Sequence, residues 1–373
     1  MKPAVTVAGA GPAGLMAAEI LAQGGAKVTI IDHKPAPARK FLLAGRGGLN
    51  LTHSEPMEKF LIHYGSAQDF LEPMIRAFPP VALIKWAEGL GVETFVGSSG
   101  RVFPKAMKAS PLLRAWLRRL ASLGVELKSS TPWTGFGTGP EILAFGGASW
   151  PEMGSDAEWV GNFTDAGISV KPFLPSNCRV KIDWSDHFIS RHAGEPLKNL
   201  KLQYGHEVVK GEVMISREGL EGGAIYQLSR AMRDEPGKSL MIDLKPALSG
   251  DAIAKRLAQP RGSLSQSNFL RRALGLTPAA IALLHESKNK IDHIGVKQVV
   301  LCPKGPAGLA RAISSAGGVD LAEVDEHCQL LKKPLHYCVG EMLDWDAPTG
   351  GYLLQACFST AVAAARDLLK KLA

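Results

Sequence analysis

Residues 5–14 read VTVAGAGPAG, and residues 27–32 read KVTIID. The first stretch is a short β-branched run followed by glycines at 9, 11 and 14. The chain then continues as LMAAEILAQ, a helix-forming sequence that stops at Gly24-Gly25. Strand, glycine turn and helix in that order are what a dinucleotide-binding βαβ unit requires. Gly9 supplies the tight turn, Gly11 leaves no side chain between backbone and pyrophosphate, and Gly14 lets the helix pack on the strand. Pro12 and Ala13 open the helix, whose unpaired N–H groups present partial positive charge to phosphates. The second strand ends in Asp32, 23 residues after Gly9. An acid there accepts both hydroxyls of an adenosine ribose and repels a 2′-phosphate. His33 and Lys34 follow it and are expected beside the same nucleotide.

The next stretch, HKPAPARKFLLAGRGGLNLTHS at 33–54, is too long and glycine-rich for the second βα unit of a plain NAD domain. Its ARKFLLAGRGGLNLTHS (38–54) goes with SGRVFP (99–104), FGGASWPEMGSDAEWV (145–160) and GEMLDWDAPTGGYLLQACFSTAVAAA (340–365). On these segments and the fingerprint, the sequence resembles the BaiN-like bacterial NAD(P)/FAD-dependent oxidoreductases, relatives of the glutathione-reductase-type flavoproteins, nearly end to end. The resemblance implies an oxidoreductase that holds FAD non-covalently and uses NAD(P)H as a transient co-substrate. It also implies that the C-terminal segment returns to the N-terminal sheet and completes the flavin site. Gly340 then ends a strand, and Glu341 stands where such flavoproteins place an acid that accepts a ribitol hydroxyl. Asp344 and Asp346 either join that site or form a solvated acidic turn. Gly350-Gly351 opens the last helix from Tyr352, with its N–H groups toward the flavin pyrimidine ring, where a positive helix terminus favours the reduced form.

The 39–53 stretch is expected as a loop along the other edge of the isoalloxazine. Arg39 and Lys40 there neutralise diphosphate or cap ring carbonyls, the alternative being a solvated basic pair. Gly45, Gly47 and Gly48 suggest backbone close to a flat ring, while Asn50, Leu51 and Thr52 belong to the same cofactor edge. The commoner pattern of the family has a Cys before that Asn; here Leu49 stands instead, which argues against a thiol beside the flavin. His53 is the loop's imidazole and the candidate proton donor, against the plainer reading of a structural histidine. Gly146-Gly147 resembles the chain crossing near the adenosine half of FAD.

Length and composition agree with this outline. At 373 residues the chain is long for a single core, and 46% apolar with 21% charged residues is the balance of a globular protein. Five cysteines without a C-x-x-C pair favour a reducing, cytoplasmic location over a disulfide framework. The apolar N-terminus imitates a signal peptide, but its spaced glycines serve the nucleotide turn. The expected architecture is α/β within a multidomain α+β chain. A discontinuous Rossmann-type FAD domain takes 1–174 and 303–373, a β-rich, barrel-like insertion takes 175–245 and 293–302, and a small helical cap takes 246–292. From 175 to 244 the pattern reads as alternating strands and turns, and from 246 to 292 as three short helices.

No second fingerprint is present, so a dedicated nicotinamide domain is not expected. No metal-ligand spacing appears among the ten histidines. G-x-S-x-G is also missing, which argues against an α/β-hydrolase. The formal net charge is +8, and 251–297 carries eight basic residues against three acidic ones. That stretch could grip structured RNA, or it is a solvated helical face whose lone aromatic is Phe269. Three readings follow: FAD-dependent reduction, or flavin-mediated oxidation, of a small unsaturated or carbonyl compound; reduction of a uridine base in structured RNA; and a non-catalytic FAD-binding regulator. The first is favoured. Oligomeric state is not legible.

Overall fold

A computed structural model describes residues 2–373, apart from the side chain of Arg46. The chain divides into two compact units, residues 1–174 with 309–373 and residues 175–308.

The first unit is built on a five-stranded parallel sheet in the spatial order His336–Cys338, Glu141–Leu143, Ala4–Ala8, Lys27–Ile31, Glu126–Lys128. In its two central strands Val5, Val7, Val28 and Ile30 are buried on one face and Thr6, Thr29 and Ile31 are half-buried on the other, which is why VTVA and KVTII read as β-branched runs. The helices Pro12–Gln23 and Tyr352–Leu372 pack on the sheet, and both are mostly buried. Glu19 is 1% exposed within that packing; its carboxylate accepts from Arg119 Nη1 at 3.0 Å and from Trp86 Nε1 at 3.0 Å. A three-stranded antiparallel sheet carries Thr52–His53 against Arg101–Pro104, with Thr94–Val96 on the far side. The expected loop at 39–53 is helical in its first part, Arg39–Ala44, because RKFLLA consists of helix formers and buries Phe41.

The second unit holds a six-stranded antiparallel sheet in the order Val299–Leu301, Leu240–Asp243, Pro196–Tyr204, Glu207–Ser216, Gly219–Glu221, Val180–Lys181. Two helices interrupt the strand-and-turn pattern expected there, Asp186–His192 and Gly223–Asp234. The second buries Ala224, Ile225, Leu228 and Met232, a helical spacing that overrides the neighbouring β-branched sequence. Four helices follow between Gly250 and Lys297 where three were expected. Ser249, Ser265, Thr277 and Asp292 cap them, each accepting a backbone N–H three residues on. Ile253, Leu270, Leu274 and Leu283 from these helices share one hydrophobic cluster with the sheet residues Leu202, Val213 and Ile242. No helix among the described residues is long and apolar enough to cross a membrane.

Candidate functional site

The first unit contains a cavity of about 290 Å³ at the C-terminal ends of its parallel strands, the edge at which open α/β sheets bind ligands. The glycine turn forms its floor. Gly9 has φ +102°, and a Cβ there would lie 2.3 Å from Ala144 O, so the strand–turn junction accepts only glycine. A Cβ on Gly14 would lie 1.9 Å from Gly9 O; that glycine serves helix packing beneath the cavity. A Cβ on Gly11 would meet nothing within 4 Å and would project from a residue that lines the cavity. Pro12 and Ala13 line it as well. The first intrahelical bond runs from Leu15 N to Gly11 O, so the N–H groups ahead of Leu15 are the helix's unpaired donors.

Asp32 is fixed by the turn itself. Its Oδ2 accepts the Ala10 N–H at 2.7 Å and its Oδ1 accepts the Lys34 N–H at 2.8 Å, leaving a lone pair on each oxygen. His33 and Lys34 also line the cavity, and both face Asp156, at 3.3 and 3.9 Å. Asp156 belongs to the 150–159 segment, which carries Trp150 and Ala157 at positive φ and brings Gly154, Ser155 and Trp159 to the cavity. Trp133 and Phe145 form an aromatic wall with their ring centroids 5.0 Å apart.

At the other end stand Arg39, Lys40 and Glu341. Lys40 Nζ pairs with Glu341 Oε2 at 2.7 Å and also bonds Ser149 Oγ. Glu341 Oε1 accepts the Ser315 N–H at 2.9 Å. Gly147 makes room for this network, since a Cβ there would lie 1.9 Å from Ser315 Oγ, while Gly146 lines the cavity. Cys357 lies here too. Burial, reinforced by the Glu341 carboxylate, pushes its thiol up to about 12, so it is neutral.

Several expected site residues are engaged elsewhere. Gly45 lies against Ala109, where a Cβ would come within 2.5 Å of the alanine Cβ, and Gly47 is exposed. Leu51 is buried and donates its N–H to Val102 O. Thr52 Oγ1 donates to Gln355 Oε1 at 2.8 Å. Gly351, at φ +100°, lies against the Thr52 backbone, with a built Cβ 2.4 Å from Thr52 Cα. The close approach expected of Gly350-Gly351 is therefore made, at Gly351, by the protein's own chain. Gly340 abuts Ala13, and Asp344 donates its N–H to Val319 O, with its carboxyl raised by burial and by Asp320. Tyr352 is buried and donates to Glu55 Oε1 at 2.5 Å. His53 stacks on Tyr352, its Nε2 facing Ser99 O at 2.9 Å and its Nδ1 accepting the Glu55 N–H. None of these residues lines the cavity, and His53 has both ring nitrogens engaged.

The residues present suit the adenosine diphosphate half of a flavin adenine dinucleotide. The turn presents backbone where a pyrophosphate needs it, the acid and the aromatic wall suit an adenosine, and cations stand at both ends. Ser155 Oγ and Trp159 Nε1, on two residues that line the cavity, are buried without a hydrogen-bond partner in the protein, a shortfall that native interiors rarely leave unfilled; Asn50, expected at the cofactor, does not line the cavity. Ser155, Asp156, Trp159, Trp133 and Cys357 escaped the sequence reading as individuals. The 145–160 segment was marked only by resemblance, and nothing in its spacing singles out those side chains.

Fold and cavity define a Rossmann-type dinucleotide-binding protein. Residues 3–367 match the HI0933-like protein Rossmann domain, and the chain belongs to that family. It is an FAD-dependent oxidoreductase. The chain is 24% identical over 407 residues to the 3-dehydro-bile acid delta(4,6)-reductase of Clostridium scindens, covering 97% of this chain and 98% of the relative. It is 23% identical over 400 residues to the ribosomal RNA dihydrouridine synthase of Escherichia coli, covering 97% of each. Among solved structures it is similar to a flavocytochrome c3 fumarate reductase, with a TM-score of 0.53 at 15% identity, covering 99% of this chain and 78% of that one. It is also similar to the 3-ketosteroid delta1-dehydrogenase of Sterolibacterium denitrificans, with a TM-score of 0.53 at 12% identity, covering 98% and 99%. At such identities the structural likeness speaks for the fold alone.

Proposed function

We propose that the protein uses non-covalent FAD to reduce a small unsaturated or carbonyl-type compound with electrons from NAD(P)H. The observation that carries this reading is a cavity that brings together the glycine turn, the acid and cations, in a chain with one fingerprint. A nicotinamide donor then docks transiently and has no domain of its own. When bound, FAD supplies the hydride chemistry; the protein binds it, orients it and sets its electrostatic surroundings. The full-length similarity to a bile acid reductase supports a small-molecule acceptor.

RNA is the second reading, favoured by the equally long similarity to a ribosomal RNA dihydrouridine synthase and by the basic stretch 251–297. Two features weigh against it. Lys297 is bound to Asp243 at 2.6 Å and to Leu248 O, and Phe269 is only half-exposed, a poor stacking platform.

The test has two stages. Acid precipitation of the yellow protein should release FAD into the supernatant; FMN there, or no flavin after reconstitution, overturns the cofactor assignment. Anaerobic addition of NADH or NADPH should then bleach the flavin, and an enone or carbonyl acceptor should restore the colour. Flavin that neither nicotinamide reduces would refute the donor.

A further inference from the structure

We infer that the open face of the three-stranded sheet in the first unit receives the electron acceptor, and that this acceptor is a flat apolar compound carrying an acidic group. Phe95, Phe103 and Met107 form the apolar part of the face, and Arg101 is its charged end. This rests on the flavin-dependent reduction proposed above and narrows its substrate class.

Strand alternation separates the two faces of this sheet. Thr52 and Val102 are fully buried on one of them. Arg101 and Phe103 point the other way, and the register sets His53 opposite Arg101 and Phe95 opposite Phe103. Tyr352 stacks on His53, whereas Phe95 is 39% exposed, its ring centroid 5.8 Å from that of Phe103. Met107 extends the apolar area over Gly48, where a built Cβ would lie 2.7 Å from Met107 Cε and 3.7 Å from Phe103 Cε1. Single apolar side chains on a surface are ordinary, but contiguous ones mark a binding surface. Met107 is exposed and holds φ +56°, a strained conformation of the kind that clusters at ligand sites, and its thioether adapts to what it covers. Arg101 is half-exposed and has no carboxylate partner among the described ion pairs, although Lys105 in the same hairpin has Glu93. A guanidinium fork at the end of an apolar face complements a carboxylate. Three side chains and one cation match a small molecule, well below the area of a stable protein interface. The chain also ties this face to the cavity: Arg39 and Lys40 line the cavity, and the helix Arg39–Ala44 leads to Gly48 beneath Met107 and on to Thr52–His53 in the sheet.

The test titrates FAD-loaded protein with cinnamate and with its neutral amide, cinnamamide, without any electron donor. Calorimetry reads affinity, and the flavin absorption spectrum reads proximity to the ring. Cinnamate should bind roughly tenfold more tightly than the amide, through a charge-assisted contact, and should perturb the flavin spectrum. Arg101→Gln should erase that preference and leave cinnamamide binding unchanged. Phe95→Ser should weaken both probes by roughly fivefold, the loss of one aromatic contact. Met107→Gly should also weaken both, yet melt no lower than wild type, because glycine relieves the positive φ. Equal affinity for the two probes, or a preference that survives Arg101→Gln, overturns the inference. So does flavin-loaded protein that binds no cinnamate, or that binds it with an unchanged flavin spectrum. If the face instead pairs two copies of the chain, wild type sediments as a dimer and Phe95→Ser as a monomer, and the inference is wrong. Protein that takes up no FAD removes the reading on which the inference stands, a failure seen before any probe is added.

Discussion

Asp32 Oδ2 accepts the backbone N–H of Ala10 at 2.7 Å, so the acid at the end of the second strand and the glycine turn at the end of the first form one unit. Asp32→Ala should therefore cost more than a ribose contact. Two backbone donors, Ala10 N–H and Lys34 N–H, lose their carboxylate partner, at about 1–3 kcal/mol for the site. The expected result is a lower melting temperature of the apoprotein together with weaker FAD binding. An apoprotein as stable as wild type would mean that water replaces the carboxylate.

Two glycines separate binding from folding. Gly11 has extended backbone, and a methyl there meets no protein atom within 4 Å, so Gly11→Ala should fold normally. The methyl stands where the dinucleotide must approach, and overpacking should weaken FAD by roughly ten- to hundredfold. Gly351→Ala should behave oppositely. Its φ of +100° and the Thr52 backbone at 2.4 Å combine strain with a clash that cannot relax into a side chain, costing roughly 3 kcal/mol of stability. Thermal melts and FAD titration of both variants check the contrast, which fails if both lose stability equally.

Those two positions also show what the sequence could convey. Gly9 and Gly14 were legible because close backbone packing leaves no residue but glycine, and the flanking strand and helix confirm the register. Gly351 was legible as a constrained position but not for its partner; Thr52 lies about 300 residues away in the chain and meets it only through the tertiary fold. Asp156 and Trp159 were illegible for a related reason. Their segment turns at Gly154 as well as at Trp150 and Ala157, all at positive φ, and its Pro, Gly, Ser and Asp residues mark a turn without telling which side chains it carries into the cavity. The helix Gly223–Asp234 was missed because its apolar face is sparse and it follows strongly β-forming sequence, so packing against the sheet decides it.

Buried charge gives a third expectation. Glu19 is almost fully buried and depends on Arg119 at 3.0 Å with help from Trp86. Arg119→Met strands the carboxylate and should destabilise the first unit by about 3 kcal/mol. Glu19→Met with Arg119→Met should recover much of that loss, since an apolar pair needs no compensation. Chemical denaturation of the two variants provides the comparison, and a double variant less stable than the single one would contradict it.

Thiol chemistry should separate the five cysteines. Cys302 is exposed, whereas Cys178, Cys328 and Cys338 are buried. Cys357 lines the cavity, yet its thiol is held near 12 by burial and by Glu341, so almost none is thiolate at pH 8. Native protein treated briefly with iodoacetamide at that pH should be modified at Cys302 alone, and denatured protein at all five. Rapid labelling of Cys357 in the apoprotein, read by peptide mass, would show that its thiol is activated.

The basic stretch supplies the experiment that ranks the two substrate readings. Arg261, Arg271 and Arg272 are exposed, and unlike Lys297 they have no carboxylate partner among the described ion pairs. If they grip structured RNA, replacing all three with Gln should weaken RNA binding and flatten its salt dependence, each lost phosphate contact removing about 0.9 from the log–log slope. Flavin content should not change, since these residues lie in the second unit and the cavity lies wholly in the first. If the acceptor is a small molecule, the wild type should bind RNA only as any +8 protein does, weakly and without preference. The triple variant would then turn over an enone or carbonyl acceptor at nearly the wild-type rate. The second outcome is expected, because Arg261 lies outside the helices and Arg271 and Arg272 lie at the end of one, with only a half-exposed Phe269 nearby. A tight, structure-selective RNA complex at physiological salt that the variant loses would invert the ranking and make base reduction in RNA the primary activity.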